Sequence, residues 1–213
     1  RSRGLGDVYK RQPRDDITSE IRPLFLHNLR ILEAGLLDAL APEEIRRLKP
    51  AKGETPLVTR LRGGSQVELS EKEIGLLLPE FIESMKEKLK LSAVGLLCTN
   101  DFQKMRFSFP VIFPFSYLKF IINEILCARR LGVVVPLETQ IRMTVKKWKR
   151  EKVVVEAKSP YAEGKSWEKI AGKFHEEKVE AVILDCIGYS MKDKRQIQHH
   201  LPSPVLLPRV ILA

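Results

Sequence analysis

Cys98 closes the apolar run AVGLL and is followed by Thr99, Asn100 and Asp101, while Cys186 closes EAVILD and is followed by Ile187, Gly188, Tyr189 and Ser190. A thiol at the end of a strand, where a turn or helix begins, meets free backbone N–H groups and the positive end of a helix dipole. Both favour the thiolate. Two such thiols on opposite sides of one carbon form a complete acid–base pair. One removes a proton from one face and the other returns a proton to the opposite face, which a single base cannot do. The competing reading is packing, because cysteine is among the residues most often buried for that reason alone. Cys127, inside the helical run ILCARR, is read as core packing.

Residues at the ends of other apolar runs can hold an anion around such a pair. Arg14 and Asp16 stand near the start of the chain, and Arg60 ends the run LVTR. A guanidinium grips a carboxylate through two parallel hydrogen bonds, so both arginines are candidates for that task. Ser159 and Tyr161 flank Pro160 in a turn after a strand. Thr99, Asn100, Gly188 and Tyr189 adjoin the two cysteines, and Asp185 can orient the second. The candidate site is thus catalytic Cys98 and Cys186, with Arg14, Asp16, Arg60, Thr99, Asn100, Ser159, Tyr161, Gly188 and Tyr189 binding substrate. His27, His175, His199 and His200 fall in helical segments without ligand spacing, and the cysteines have no Cys-x-x-Cys pattern. No metal and no cofactor is expected.

For these residues to meet, strand ends must be gathered at one edge. Apolar runs at 31–33, 57–61, 93–98, 131–136, 153–157, 181–186 and 204–207 read as strands, several rich in Val and Leu as strands covered on both faces are. Helical spacing marks 17–27, 43–48, 71–89, 114–129, 137–149, 166–177 and 192–200, and Ser70 with Glu73 predicts a capping box. This alternation predicts an α/β fold with a mainly parallel sheet flanked by helices, in which chemistry collects at the carboxyl ends of the strands. A two-lobed arrangement would divide near residues 129–132.

Composition narrows the classes further. Across 213 residues, 44% hydrophobic and 30% charged content belongs to a folded chain, not a disordered one. Three scattered cysteines make no disulfide framework, so a reducing, cytoplasmic setting is expected. The most apolar stretch, 111–126, is interrupted by Pro114, Lys119, Asn123 and Glu124 and does not read as a membrane span. A start rich in Arg, Gly and Lys does not read as a secretory signal. The net charge of +10 is spread along the chain, and its densest run, KKWKR at 146–150, reads as a solvated helix end where cations complement the dipole. Neither nucleic acid nor membrane is expected as a partner; a small-molecule carboxylate is, and a homodimer is left open. Residues 1–12 lack periodicity, and DVYKRQ at 7–12 is the translation of a transposon end used in sequencing-library preparation. They are read as a non-native scar on a metagenomic fragment, leaving 13–213 as the α/β domain.

The ordered set PRDD at 13–16, EAGLLDAL at 33–40, LVTRLRGG at 57–64, LLCTNDF at 96–102, GVVVP at 132–136, SPY at 159–161, LDCIGYS at 184–190 and PVLLPRVILA at 204–213 resembles the AroM family. The family's name reflects a link to aromatic amino-acid biosynthesis genes. Its members open with a strand and a Gly-containing turn before the PR motif and continue beyond the PVLL strand into a helix. The resemblance therefore implies that this chain lacks its first strand and is truncated at both ends. Asn100 stands where a Gly commonly follows the Cys-Thr pair, and Gly63 where an Asp is common. More distantly, the two strand-end cysteines resemble those of cofactor-independent aspartate, glutamate and hydantoin racemases. That likeness implies a racemase-like fold of two pseudo-symmetric lobes and a racemase or isomerase acting on a small carboxylate through Cys98 and Cys186. The alternative is a non-catalytic small-carboxylate-binding or regulatory protein related to aromatic amino-acid biosynthesis. A lyase or hydrolase using one of the two cysteines is a third reading.

Overall fold

The computed structural model describes residues 15–25, 30–54, 56–61, 66–102 and 105–212. Helix α1 (Asp15–Ile21) buries Ile17 and Ile21, four residues apart on one face. Helix α2 (Pro42–Arg47) starts at a proline, whose missing N–H costs nothing in the first turn. Strands β1 (Pro56–Arg60) and β2 (Gln66–Ser70) pair antiparallel. Ser70 ends β2 and caps helix α3 (Glu71–Leu89), its Oγ accepting the Glu73 N–H at 3.1 Å. Only this half of the expected capping box is formed, because the Ser70 N–H donates to the Leu48 carbonyl at 2.6 Å. Short strands β3 (Val94–Gly95) and β4 (Val111–Ile112) pair in parallel, and helix α4 (Pro114–Phe120) passes into a π-turn at Ile121–Ile125.

Beyond this point strand and helix alternate: β5 (Arg130–Val135), α5 (Ile141–Trp148), β6 (Lys152–Ala157), α6 (Trp167–Glu176), β7 (Ala181–Leu184), α7 (Met191–Gln198) and β8 (Val205–Leu206), closed by a 3-10 turn at Pro208–Leu212. The four strands form one parallel sheet in the order β6-β5-β7-β8. Side chains alternate across it. Val134, Val154, Val182 and Leu184 pack with Ile170, Ala171 and Phe174 of α6 and Ile197 of α7. Leu131, Val133, Val135, Val155, Ala181 and Ile183 pack with Phe115 and Leu118 of α4, Ile122 of the π-turn and Trp148 of α5. Burial on both faces explains the unbroken apolar runs of β5 and β7. Gly132 in β5 lets the Phe174 ring approach, since a Cβ there would stand 3.1 Å from the ring.

Several expectations need correction. Residues 31–33 are irregular, with Leu32 exposed; three residues cannot hold an extended conformation unless another strand pairs with them. The run at 57–61 belongs to an antiparallel hairpin, and its partner QVELS went unread because polar residues alternate with apolar ones. The helix expected over 114–129 stops at the π-turn, where the Leu126 N–H reaches back to Ile121 O. Cys127 then takes a left-handed conformation (φ 48°) and is exposed, so it is not core packing. No helix among the described residues is long and apolar enough to cross a membrane. Residues 1–12, read above as a scar, and Arg14, His27 and Gly63 lie outside the described residues.

Glu156 of the edge strand β6 is buried and ties down the segment between β6 and α6. It accepts from Lys165 at 2.8 Å and from Lys173 of α6. Burial alone would raise its pKa, but the two ammonium groups outweigh burial and hold the carboxyl below its ordinary value. A depressed folded-state pKa stabilises the fold above the unfolded value of about 4.3 and loses that contribution as pH falls through the folded value. Stability of the unaltered protein should therefore drop more steeply below about pH 4.3 than that of Glu156→Gln. Urea unfolding at a series of pH values checks this, and equal pH slopes would remove Glu156 as the anchor.

Candidate functional site

In the order β6-β5-β7-β8, β5 leads through α5 to β6 on one side and β7 leads through α7 to β8 on the other, so the carboxyl ends of β5 and β7 form the switch point at which such sheets place their ligands. Cys186 stands there, two residues past β7, and is buried. Its N–H turns back to Leu184 O at 2.8 Å. Cys98, half-buried past β3, is carried by the same local turn, its N–H donating to Leu96 O at 2.8 Å. This i to i−2 bond is that of a γ-turn, common where strands end.

The two turns are joined directly. Thr99, next to the first cysteine, donates its hydroxyl to the carbonyl of Asp185, next to the second, at 3.3 Å. Lys147 of α5 donates to Thr99 O at 2.9 Å and to both carboxylate oxygens of Asp185 at 2.9 and 3.2 Å. Trp148 Nε1 adds a contact of 3.4 Å to the same carboxylate, whose side chain is 3% exposed. A carboxylate so buried requires this pairing.

Each thiol has a distinct surrounding. The Gly188 N–H donates to Cys186 Sγ at 3.4 Å. The turn that carries this N–H is clamped by Arg209, 1% exposed, which donates to Ile187 O at 2.9 and 3.2 Å and to Gly188 O at 2.9 Å. Arg209 also pairs with Glu20 of α1 at 2.8 Å, and Glu20 accepts the Met191 N–H at the start of α7. At Cys98, burial pushes the thiol pKa up; the Asn100 N–H and Lys147 oppose this, while Asp185 and Glu71 reinforce it. Glu71, the first residue of α3, is itself raised by burial against a hydrogen bond from Asn100 and the charge of Lys147. Among the described residues no helix begins between Cys98 and Pro114, so the cation of Lys147, not a helix dipole, faces this thiol.

The segment after β6 closes on the Cys186 turn. The Ser159 hydroxyl accepts the Tyr161 N–H at 3.1 Å, and a Cβ on Gly188 would lie 2.3 Å from the Tyr161 hydroxyl, so only glycine admits that contact. Tyr189 is fully buried, its ring set edge-on to Trp167 and its hydroxyl donating to Lys158 O at 2.5 Å. Burial keeps its phenol pKa well above the ordinary range.

The structure thus joins Thr99 to Asp185 beside Cys186, sets Asn100 between Cys98 and Glu71, and brings Tyr161, whose N–H is held by Ser159, against Gly188. Arg60 ends β1 and Asp16 lies in α1. The side chains of these two residues, and Arg14 entirely, are outside what is described. Sequence reasoning missed Lys147, Glu71, Glu20 and Arg209. Lys147, taken as part of a solvated helix end, follows Thr144 by three residues and precedes Trp148, both buried, which places it beside the inner face of α5. Arg209 was visible as a lone charge inside PVLLPRVILA. The family model described as AroM protein matches residues 11–213. No curated protein matches the chain.

Proposed function

The chain belongs to the AroM family, and from that premise we propose that it is a cofactor-independent racemase or isomerase acting on a small carboxylate through Cys98 and Cys186. The observation that carries this reading is the pairing of two thiols on identical γ-turns at strand ends, joined through Thr99 and Asp185. The distant resemblance to the two-cysteine racemases supports it.

The scheme follows from the surroundings of each sulfur. The Cys186 thiolate, with the Gly188 N–H directed at it, removes the proton alpha to the carboxylate and becomes a thiol. The C–H electron pair moves into the carboxylate as a planar enediolate. Cys98, kept protonated by burial, delivers its proton to the opposite face and becomes the thiolate. Configuration is inverted and one proton is exchanged, with no change in oxidation state. The reverse turnover restores the starting form. Arg14 and Arg60 are the proposed grips for the carboxylate, with Asp16, Thr99, Asn100, Ser159, Tyr161, Gly188 and Tyr189 around them.

The test is deuterium exchange at the alpha carbon of small amino and hydroxy acids in heavy water, followed by proton NMR. Expected is loss of the alpha-proton signal together with appearance of the opposite enantiomer. Absence of exchange across the panel would replace this reading with that of a carboxylate-binding protein.

A further inference from the structure

We propose that Lys147 is a positioning residue that locks the Cys98 and Cys186 turns to each other and supplies the positive charge beside Cys98. Its catalytic meaning rests on the two-thiol reading. Its structural meaning does not.

The ammonium reaches across two loops distant in sequence, meeting Thr99 O on one and both Asp185 oxygens on the other. An ammonium has three donors, and these contacts use all of them. Its remaining side is covered by aromatic rings, with Phe115 at 4.4 Å and Trp148 at 5.8 Å from the nitrogen. The side chain is 20% exposed, whereas the neighbouring Lys146 and Lys149 are exposed. A lysine that only solubilised a helix end would make none of these contacts.

The charges facing Cys98 come from three elements: Lys147 on α5, Asp185 after β7 and Glu71 on α3, with the Asn100 N–H as a further dipole. Lys147 is the cation opposing two carboxyl groups. Without it, the Cys98 proton is held by burial and by two unopposed acidic neighbours, and the thiol is slower to ionise. With it, part of the rise that burial imposes is offset, which eases the release and recovery of the proton that a racemase requires of each sulfur.

The experiment measures alkylation of Cys98 by iodoacetamide against pH, read by mass spectrometry on the Cys98 peptide. Lys147→Met and Lys147→Gln should move the midpoint to higher pH, and a shift of one pH unit slows alkylation about tenfold below the midpoint. Lys147→Arg should restore the unaltered profile. The Gln variant keeps a hydrogen-bond donor near Thr99 and Asp185, so it decides the matter if the Met variant does not fold. If Lys147 were only a brace, its loss would loosen the turn, hydrate the thiol and lower the midpoint. An unchanged or lowered midpoint in both Met and Gln variants overturns the proposal. Alkylation needs no substrate, so this result stands apart from whether alpha-proton exchange is found.

Discussion

Cys98→Ser and Cys186→Ser should each reduce racemisation by roughly 10²–10⁴-fold, the range over which a positioned proton-transfer group acts. A serine hydroxyl is close in size to the thiol but far less acidic, so the turn survives while the proton-transfer step is lost. The two losses should not be equivalent in isotope exchange. In Cys98→Ser the Cys186 thiolate still removes a proton from the enantiomer that presents its C–H to that sulfur, and returns deuterium to the same face. In Cys186→Ser only the other enantiomer should exchange. Measuring alpha-proton loss from each pure enantiomer in heavy water separates the faces. Full racemisation by either variant would eliminate the two-thiol mechanism, and exchange of both enantiomers by one variant would point to a single mobile base.

What local sequence revealed, and what it did not, follows the range of the interactions. The sheet from β5 to β8 was legible because Val133, Val134, Val182 and Ile183 are buried on both faces and leave uninterrupted apolar runs. The cysteines were legible as ends of such runs. Their mutual placement depends on Thr99 meeting Asp185, a contact across 86 positions that no periodicity encodes. Lys147 was misread for the same reason, since its partners lie 48 and 38 positions away. Its only local signal was the buried pair Thr144 and Trp148 on the adjoining face. The hairpin of β1 and β2 was half legible, because β2 is polar on one face. The early end of α4 was not, because a π-turn followed by a left-handed Cys127 leaves no mark in residue type.

Arg209→Met should be the most destabilising single change outside the apolar core. Methionine fills a similar volume, but it removes donors from two buried carbonyls, Ile187 O and Gly188 O, and from Glu20. Breaking a buried charged cluster by removing one partner costs about 3–5 kcal/mol. Arg209→Lys should cost less, because an ammonium keeps the charge, yet it lacks the planar fork that serves Ile187 O through two nitrogens. Glu20→Gln should cost least, about 1.5–3 kcal/mol, since the glutamate side chain is 28% exposed and water takes over part of its role. Urea unfolding at neutral pH gives the order. The same cluster also sets the site, because Arg209 fixes the carbonyls on either side of the Gly188 N–H that meets Cys186 Sγ. Folded Arg209→Lys should therefore lose proton exchange initiated by Cys186 while retaining that initiated by Cys98. Stability of Arg209→Met within about 0.5 kcal/mol of the unaltered protein, the spread of ordinary surface changes, would show that the turn holds its shape without the clamp.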